Sequence, residues 1–170
     1  LVLNHFDEMG YERVAYAGAV YTYNRVKMLT MDPRFYYYKN SMINRNLFDE
    51  NLVIDCEMNS GSSYEAMERY LEKNKKPPKA LFISSDATAA GILKAIREHG
   101  FLVPGDCNIV TYNNTTFSES STPPLDSIEV YLKESAKEAT FALERFWNAE
   151  KLPRKIVIPC SLVIRGSIKK

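Results

Sequence analysis

At 170 residues, with 45% hydrophobic and 25% charged side chains, the chain has globular proportions and enough length for one domain with a substantial core. Its 22 basic and 21 acidic residues sum to a formal charge of +1, which excludes a broad electrostatic grip on polyphosphate and directs attention to a neutral or small partner. No apolar stretch approaches the roughly 20 residues of a membrane span, and Leu1–His5 has none of the regions of a signal peptide, so a soluble, cytoplasmic chain without a membrane partner is expected.

Taken in order, the elements alternate. An opening without Met and with mid-helix character suggests a fragment whose upstream part is missing. Leu1–Met9 reads as the tail of a helix closed by Gly10, and Arg13–Ala17 as a strand running into a polar, aromatic loop, Tyr21-Thr22-Tyr23-Asn24. Asp32-Pro33 offers an N-cap followed by proline at the first helical position, with Phe35, Tyr38 and Met42 on one face of the helix. A strand is predicted at Leu52–Asp55. Ser62 with Glu65 forms a capping box for a helix whose stripe is Met67, Tyr70 and Leu71, ended by Lys75-Lys76-Pro77-Pro78.

The next stretch carries most of the information. Ala80–Ile83 has buried-strand character, Ser84-Ser85-Asp86 supplies an N-cap, and Ala87–His99 places Ala89, Leu93 and Ile96 at helical spacing before Gly100. After Val103-Pro104-Gly105-Asp106, a strand at Asn108–Tyr112 stops abruptly at Asn113-Asn114-Thr115-Thr116. Thr122-Pro123-Pro124 interrupts the pattern. A short strand at Ser127–Val130 follows, then a helix over Leu132–Trp147 with a stripe at Leu132, Ala136, Ala139, Leu143 and Phe146, and two strands, Lys155–Ile158 and Ser161–Ile164, flanking Pro159. This alternation predicts an α/β fold with a parallel, doubly wound sheet.

A strand–helix–strand unit of this length crosses over right-handed between parallel strands, so the polar clusters after Ile83 and Tyr112 emerge on one edge. In doubly wound sheets ligands bind outside the carboxyl ends of the strands, which makes Ser85, Asp86, Asn113 and Asn114 the first candidate contacts. Asp86 has a competing use as the cap of the helix at Ala87. Cys56, Cys107 and Cys160 are odd in number and far apart, so neither a disulfide framework nor a zinc site is indicated and all three read as small core residues. His5 and His99 have no catalytic companions and read as helix-end or surface histidines. With no glycine-rich phosphate loop, nucleophile elbow or His-centred triad, neither an enzyme nor a bound cofactor or metal is expected. Asp32 and Asp86 form a glycosidase-like pair only if they lie roughly 5–9 Å apart, and capping explains them more simply.

The succession of strand, SSD, helix and HGFLVPGDCNIVTYNN, then STPPLDSI, then a long helix and KIVIPCSLVIRGS, closely resembles the effector-binding region of the lactose/galactose repressor (LacI/GalR) family of bacterial transcription regulators. Upstream, GYERVAYAG resembles that family's first strand of the second subdomain, and Asp32-Pro33-Arg34 its effector-facing helix start. The resemblance covers essentially the whole chain.

The resemblance implies a two-subdomain sensor of the periplasmic-binding-protein type, tethered to a helix-turn-helix absent from these residues, through which alone operator DNA would be bound. Residues 1–170 then correspond to the C-terminal subdomain, with 127–147 returning to a missing N-terminal subdomain and with hinge strands at Ser118–Pro124 and Ala149–Pro153. The implied ligand is a small sugar, galactose or a galactoside. Arg34 would hold two neighbouring hydroxyls with its planar fork, Asn113 would stand where the family commonly has an aspartate, and Ser85 where it often has asparagine. Tyr21 and Tyr23 are placed either to stack on a pyranose ring or to pack on the surface. Two departures bear on the sugar's identity: Tyr37-Tyr38 replaces the family's Gly-aromatic pair, and Asn113-Asn114 replaces paired aspartates. A homodimer is implied as well, through Ala87, Ala90, Gly91 and Lys94 on one helix and Thr115 and Phe117 beyond the next strand, although the small residues also suit packing within the domain. A sugar-binding protein of an ABC importer would share the fold.

Overall fold

A computed structural model describes residues 1–23, 26–148 and 155–169. Its strands are β1 (Ala15–Gly18), β2 (Tyr21–Tyr23), β3 (Leu29–Met31), β4 (Val53–Asp55), β5 (Ala80–Ile83), β6 (Asn108–Tyr112), β7 (Asp126–Glu129) and β8 (Ser161–Val163). Its helices are α1 (Val2–Glu8), α2 (Pro33–Asn44), α3 (Ser60–Asn74), α4 (Asp86–Glu98), α5 (Thr116–Ser120) and α6 (Leu132–Trp147). The main sheet runs β4-β1-β5-β6-β7-β8, with β4, β1, β5, β6 and β7 parallel and β8 antiparallel on β7. This is the doubly wound α/β architecture that the alternation predicts.

Strand residues point alternately to two faces, and each face buries its own apolar cluster. Ala15, Ala17, Leu81, Ile83 and Ile109 pack beneath α3 and α4, whose Met67, Leu71, Ile92 and Ile96 close that side. Val14, Tyr16, Phe82 and Val110 pack on the other face against Phe6 of α1 and Phe35, Tyr38 and Met42 of α2. Tyr16 is the centre of this second layer, its ring 5.2 Å from both Phe35 and Tyr38 and 5.7 Å from Phe82. Gly18 ends β1 at φ +150, and a Cβ there would run into the Ser84 side chain, so glycine is what lets the ends of β1 and β5 approach.

Several local expectations need correction. Tyr21–Tyr23 is a strand paired antiparallel with Leu29–Met31, because alternation in this short segment puts Tyr21 opposite Met31 and Tyr23 opposite Leu29; Asn24 lies outside the described residues. The cap of α3 is Asn59, whose side chain accepts from Ser62 N, while Ser62 Oγ accepts from Glu57 N, so no Ser62–Glu65 box forms. His5 is buried, its Nε2 3.1 Å from Asp126 Oδ2, while Asp126 Oδ1 accepts from the backbone of Arg165, Gly166 and Ser167. Cys56 and Cys107 are buried, but Cys160 is exposed.

The chain's path also differs from expectation. Ser118–Pro124 is not a crossing out of the body: it joins the neighbouring parallel strands β6 and β7, and Leu125 N returns to Ser118 O at 2.7 Å. The strand at 126–129 is itself part of the main sheet, so departure comes after Glu129 rather than at Ser127. α6 then has no buried residue, and Phe146 and Trp147 are 73% and 76% exposed. Lys155–Ile158 is not a strand, since it pairs with none among the described residues. The hinge expected at Ala149–Pro153 lies outside the described residues.

Candidate functional site

The carboxyl ends of the five parallel strands share one edge, and Arg34 sits across the ends of β5 and β6. Asp32 caps α2, its Oδ1 accepting from Arg34 N at 2.9 Å, and Pro33 supplies the first helical position. The same carboxylate takes the guanidinium side-on, Oδ1 from Nε at 2.9 Å and Oδ2 from Nη2 at 2.7 Å. Arg34 Nη1 donates to Ser84 O at 3.0 Å beyond β5, Nη2 also contacts Met58 Sδ at 3.0 Å, and the guanidinium lies 5.7 Å from the Tyr112 ring centre at the end of β6. Asp32 N in turn donates to Val20 O, and Val20 N to Asp55 Oδ1.

This pair is electrostatically fixed. The hydrogen bond that the Arg34 guanidinium donates to Asp32 is the main reason it is held above its ordinary value, so it stays charged. Burial opposes ionisation of Asp32, yet the hydrogen bonds and charge of Arg34 outweigh that and keep its carboxyl below the usual range. Arg34 is 23% exposed and Asp32 2%. The result is a guanidinium with four of its five N–H donors committed, leaving one Nη1 hydrogen for an acceptor on the open edge. Tyr112 is raised above its ordinary value by burial first and by Cys160 second, and therefore stays a neutral hydroxyl.

The other expected residues divide. Asn113 stands at the end of β6 at φ +103, its backbone N donating to Ile128 O at 3.0 Å; no side-chain hydrogen bond ties it among the described residues. Ser85 is buried and caps α4, with Thr88 N and Thr88 Oγ1 at 3.2 and 2.8 Å from its Oγ. Asp86 is the first residue of α4 rather than its cap. Its carboxylate accepts from Thr111 Oγ1 at 2.8 Å and from Thr115 N and Oγ1 at 2.7 and 2.6 Å, so it clamps the end of β6 to the start of α4. Tyr21 and Tyr23 share one face of the β2–β3 hairpin and are 55% and 72% exposed, and β3 runs directly into Asp32.

Of the residues expected at a dimer contact, Ala87, Lys94 and Thr115 are exposed, and Ala90, Lys94 and Phe117 line one open groove of about 440 Å³ with Leu93, Arg97 and Thr122. Gly91 does not belong with them. It is buried against α3, where a Cβ would strike Ser60 O and Ser63 Oγ and come to 2.7 Å from Tyr64 N. Sequence reasoning missed Ser84, Met58 and Tyr112 as the frame of Arg34, and Arg165 and Glu129 as partners of Asn114. Only the Asp32-Pro33 cap carried a local signal, and Arg34 came from the resemblance.

The family model for a periplasmic-binding-protein-like domain matches residues 3–168. The chain belongs to this family, in the form carried by LacI/GalR-type regulators. It is 31% identical over 139 residues to the HTH-type transcriptional regulator GalR of Streptococcus thermophilus, covering 81% of this chain and 42% of that protein. It is 27% identical over 178 residues to the HTH-type transcriptional repressor MelR of Bacillus subtilis, covering 97% and 48%. A transcriptional regulator CelR–cellobiose complex shares the fold at TM-score 0.82 and 24% identity, over 98% of this chain and 50% of that one. A lac repressor dimer bound to operator and anti-inducer does so at TM-score 0.83 and 18% identity, over 98% and 56%. The chain thus spans about half the length of these relatives, which are transcriptional regulators rather than enzymes. No helix among the described residues is long and apolar enough to cross a membrane.

Proposed function

We propose that this chain is the C-terminal half of the effector-sensing region of a bacterial transcription regulator, a repressor whose operator affinity is set by a small sugar. The observation that carries the reading is Arg34, held by Asp32 and Ser84 O at the common edge of β5 and β6. A guanidinium anchored in this way presents its one remaining Nη1 hydrogen in a fixed direction, which suits a sugar hydroxyl oxygen. Asn113 beside it both donates and accepts, and the hairpin tyrosines offer ring faces. Galactose or a galactoside is the sugar class, and the protein acts in the cytoplasm, where its DNA lies.

The sugar shifts a population: bound between this half and the rest of the sensor, it favours one hinge state, and its differential affinity for that state limits the change in operator binding. Two copies pair through the groove that joins Ala90, Lys94 and Phe117, flanked by Ala87 and Thr115, and a two-fold operator mirrors that symmetry. The alternative of an ABC-importer binding protein is not favoured, because the curated relatives are transcriptional regulators. Calorimetric titration of the full-length protein with galactose and lactose tests the reading. Saturable binding of either sugar by the wild type, weakened in Arg34→Ala, supports it; binding unaffected by that substitution contradicts it.

A further inference from the structure

The chain leaves the main sheet after Glu129 and re-enters it at Ser161, with α6, which buries none of its residues, between. One side-chain amide joins exit and re-entry to the end of β6. Asn114 Oδ1 accepts from Arg165 Nη2 at 2.6 Å, and Asn114 Nδ2 donates to Glu129 Oε2 at 2.7 Å. The remaining links close around it. Glu129 Oε1 accepts from Tyr131 N at 2.7 Å, the Tyr131 hydroxyl lies 2.8 Å from Ser161 Oγ, and Arg165 Nη1 donates to Leu125 O at 2.9 Å. Asn114 N donates to Ser127 Oγ at 3.0 Å, and Asn113 N to Ile128 O at 3.0 Å, so the Asn113-Asn114 turn is tied to β7 through its backbone as well.

The chemistry of this position is narrow. Arg165 offers only donors and Glu129 only acceptors, and the partner between them must accept on one side and donate on the other. An aspartate would serve Arg165 and repel Glu129. An asparagine serves both, and it tolerates the φ of +48 found here better than most residues do. The Asn114 hydrogen bond is also the largest reason that the Glu129 carboxyl is held below its usual range.

We propose that Asn114 is a positioning residue that ties the effector-facing end of β6 to both crossings of the chain, so that a displacement of Asn113 reaches exit and re-entry together. The proposal rests on the sensor reading above and assigns Asn114 to transmission, leaving sugar contact to Asn113 and Arg34.

The test uses the full-length regulator on DNA from its own promoter, with galactose and lactose as probes and hydrogen exchange at the amides of 129–131 and 161–163 as a second readout. Asn114→Ala keeps sugar affinity within about threefold, while the sugar-induced change in operator affinity falls about tenfold. Its amides exchange about tenfold faster at both crossings. Asn114→Asp behaves in the same way, and adding Glu129→Gln to it restores both readouts, because the glutamine amide then donates to the aspartate that accepts from Arg165. An unchanged operator response with unchanged exchange in Asn114→Ala overturns the proposal, as does faster exchange at only one crossing or failure of the double variant to rescue. If neither sugar acts on the wild type, the sugar reading has failed and exchange at the two crossings alone decides for or against the tie. If Asn114→Ala does not fold, the aspartate variant and its rescue decide.

Discussion

Arg34 and Asp32 stand two residues apart in sequence and meet through two parallel hydrogen bonds, Nε to Oδ1 at 2.9 Å and Nη2 to Oδ2 at 2.7 Å. The turn that starts α2 therefore builds the helix and aims the guanidinium at the sheet edge with one carboxylate. Asn at position 32 would cap the helix about as well as Asp, but would hold the guanidinium by one acceptor only. Asp32→Asn is expected to leave urea stability within about 1 kcal/mol, the usual range for exchanging good caps and losing a neutral-for-charged contact at a helix start. It is expected to weaken sugar binding about tenfold, the cost of one poorly held charged hydrogen bond. Parallel denaturation and calorimetry separate the two effects.

The same pair sets an acid-side pH dependence. The folded Asp32 carboxyl lies below its ordinary value of 3.8, so its contribution to stability is complete above that value and is lost as pH falls through the lower folded one. Arg34 is pushed above its ordinary value and stays charged throughout. Stability from this pair is therefore flat between about pH 5 and pH 8 and declines below about pH 4, and Asp32→Asn flattens the acid decline. Urea midpoints measured across that range check the sign.

The strand ends were legible because the parallel α/β alternation puts them on one edge whatever the details of packing, and Asp32-Pro33 was legible as a helix cap, whereas Arg34 was singled out only through the family resemblance. Pairings across long separations were not: His5 meets Asp126 across 121 residues, and Arg165 meets Asn114 across 51. Nothing local marks such partners. Gly91 shows a different limit, since a small residue on a helix face looks the same in sequence whether its neighbour is a second copy or the chain's own α3. Asp86 was read as a cap or a ligand contact, and the structure shows a third use, a buried clamp on Thr111 and Thr115.

Gly91 gives a direct stability prediction. A Cβ there meets the backbone oxygen of Ser60 and the Ser63 hydroxyl, and backbone cannot step aside as a flexible side chain can. Gly91→Ala is expected to cost about 1–3 kcal/mol by forcing α3 and α4 apart, in spite of alanine's higher helix propensity. A lowered urea midpoint with an unchanged slope confirms it, and a raised midpoint refutes the packing described for α4.

The three cysteines should differ in reactivity. Burial pushes the Cys56 thiol up to about 12, Cys107 is raised further by full burial, and Cys160 is exposed. At neutral pH an aromatic disulfide reagent should modify Cys160 rapidly and the other two only on unfolding, since the thiolate is the reacting species. Cys160→Ser removes the fast phase.

Fluorescence anisotropy of the full-length regulator on DNA from its own promoter, titrated with galactose and lactose, puts the sensor reading to its most direct test. Operator affinity that changes with one of these sugars in the wild type, and hardly changes in Arg34→Ala while apo operator binding is retained, is the expected result. Specific operator binding that ignores both sugars, or a sugar response that survives Arg34→Ala unchanged, would contradict the assignment of this edge as the sugar site.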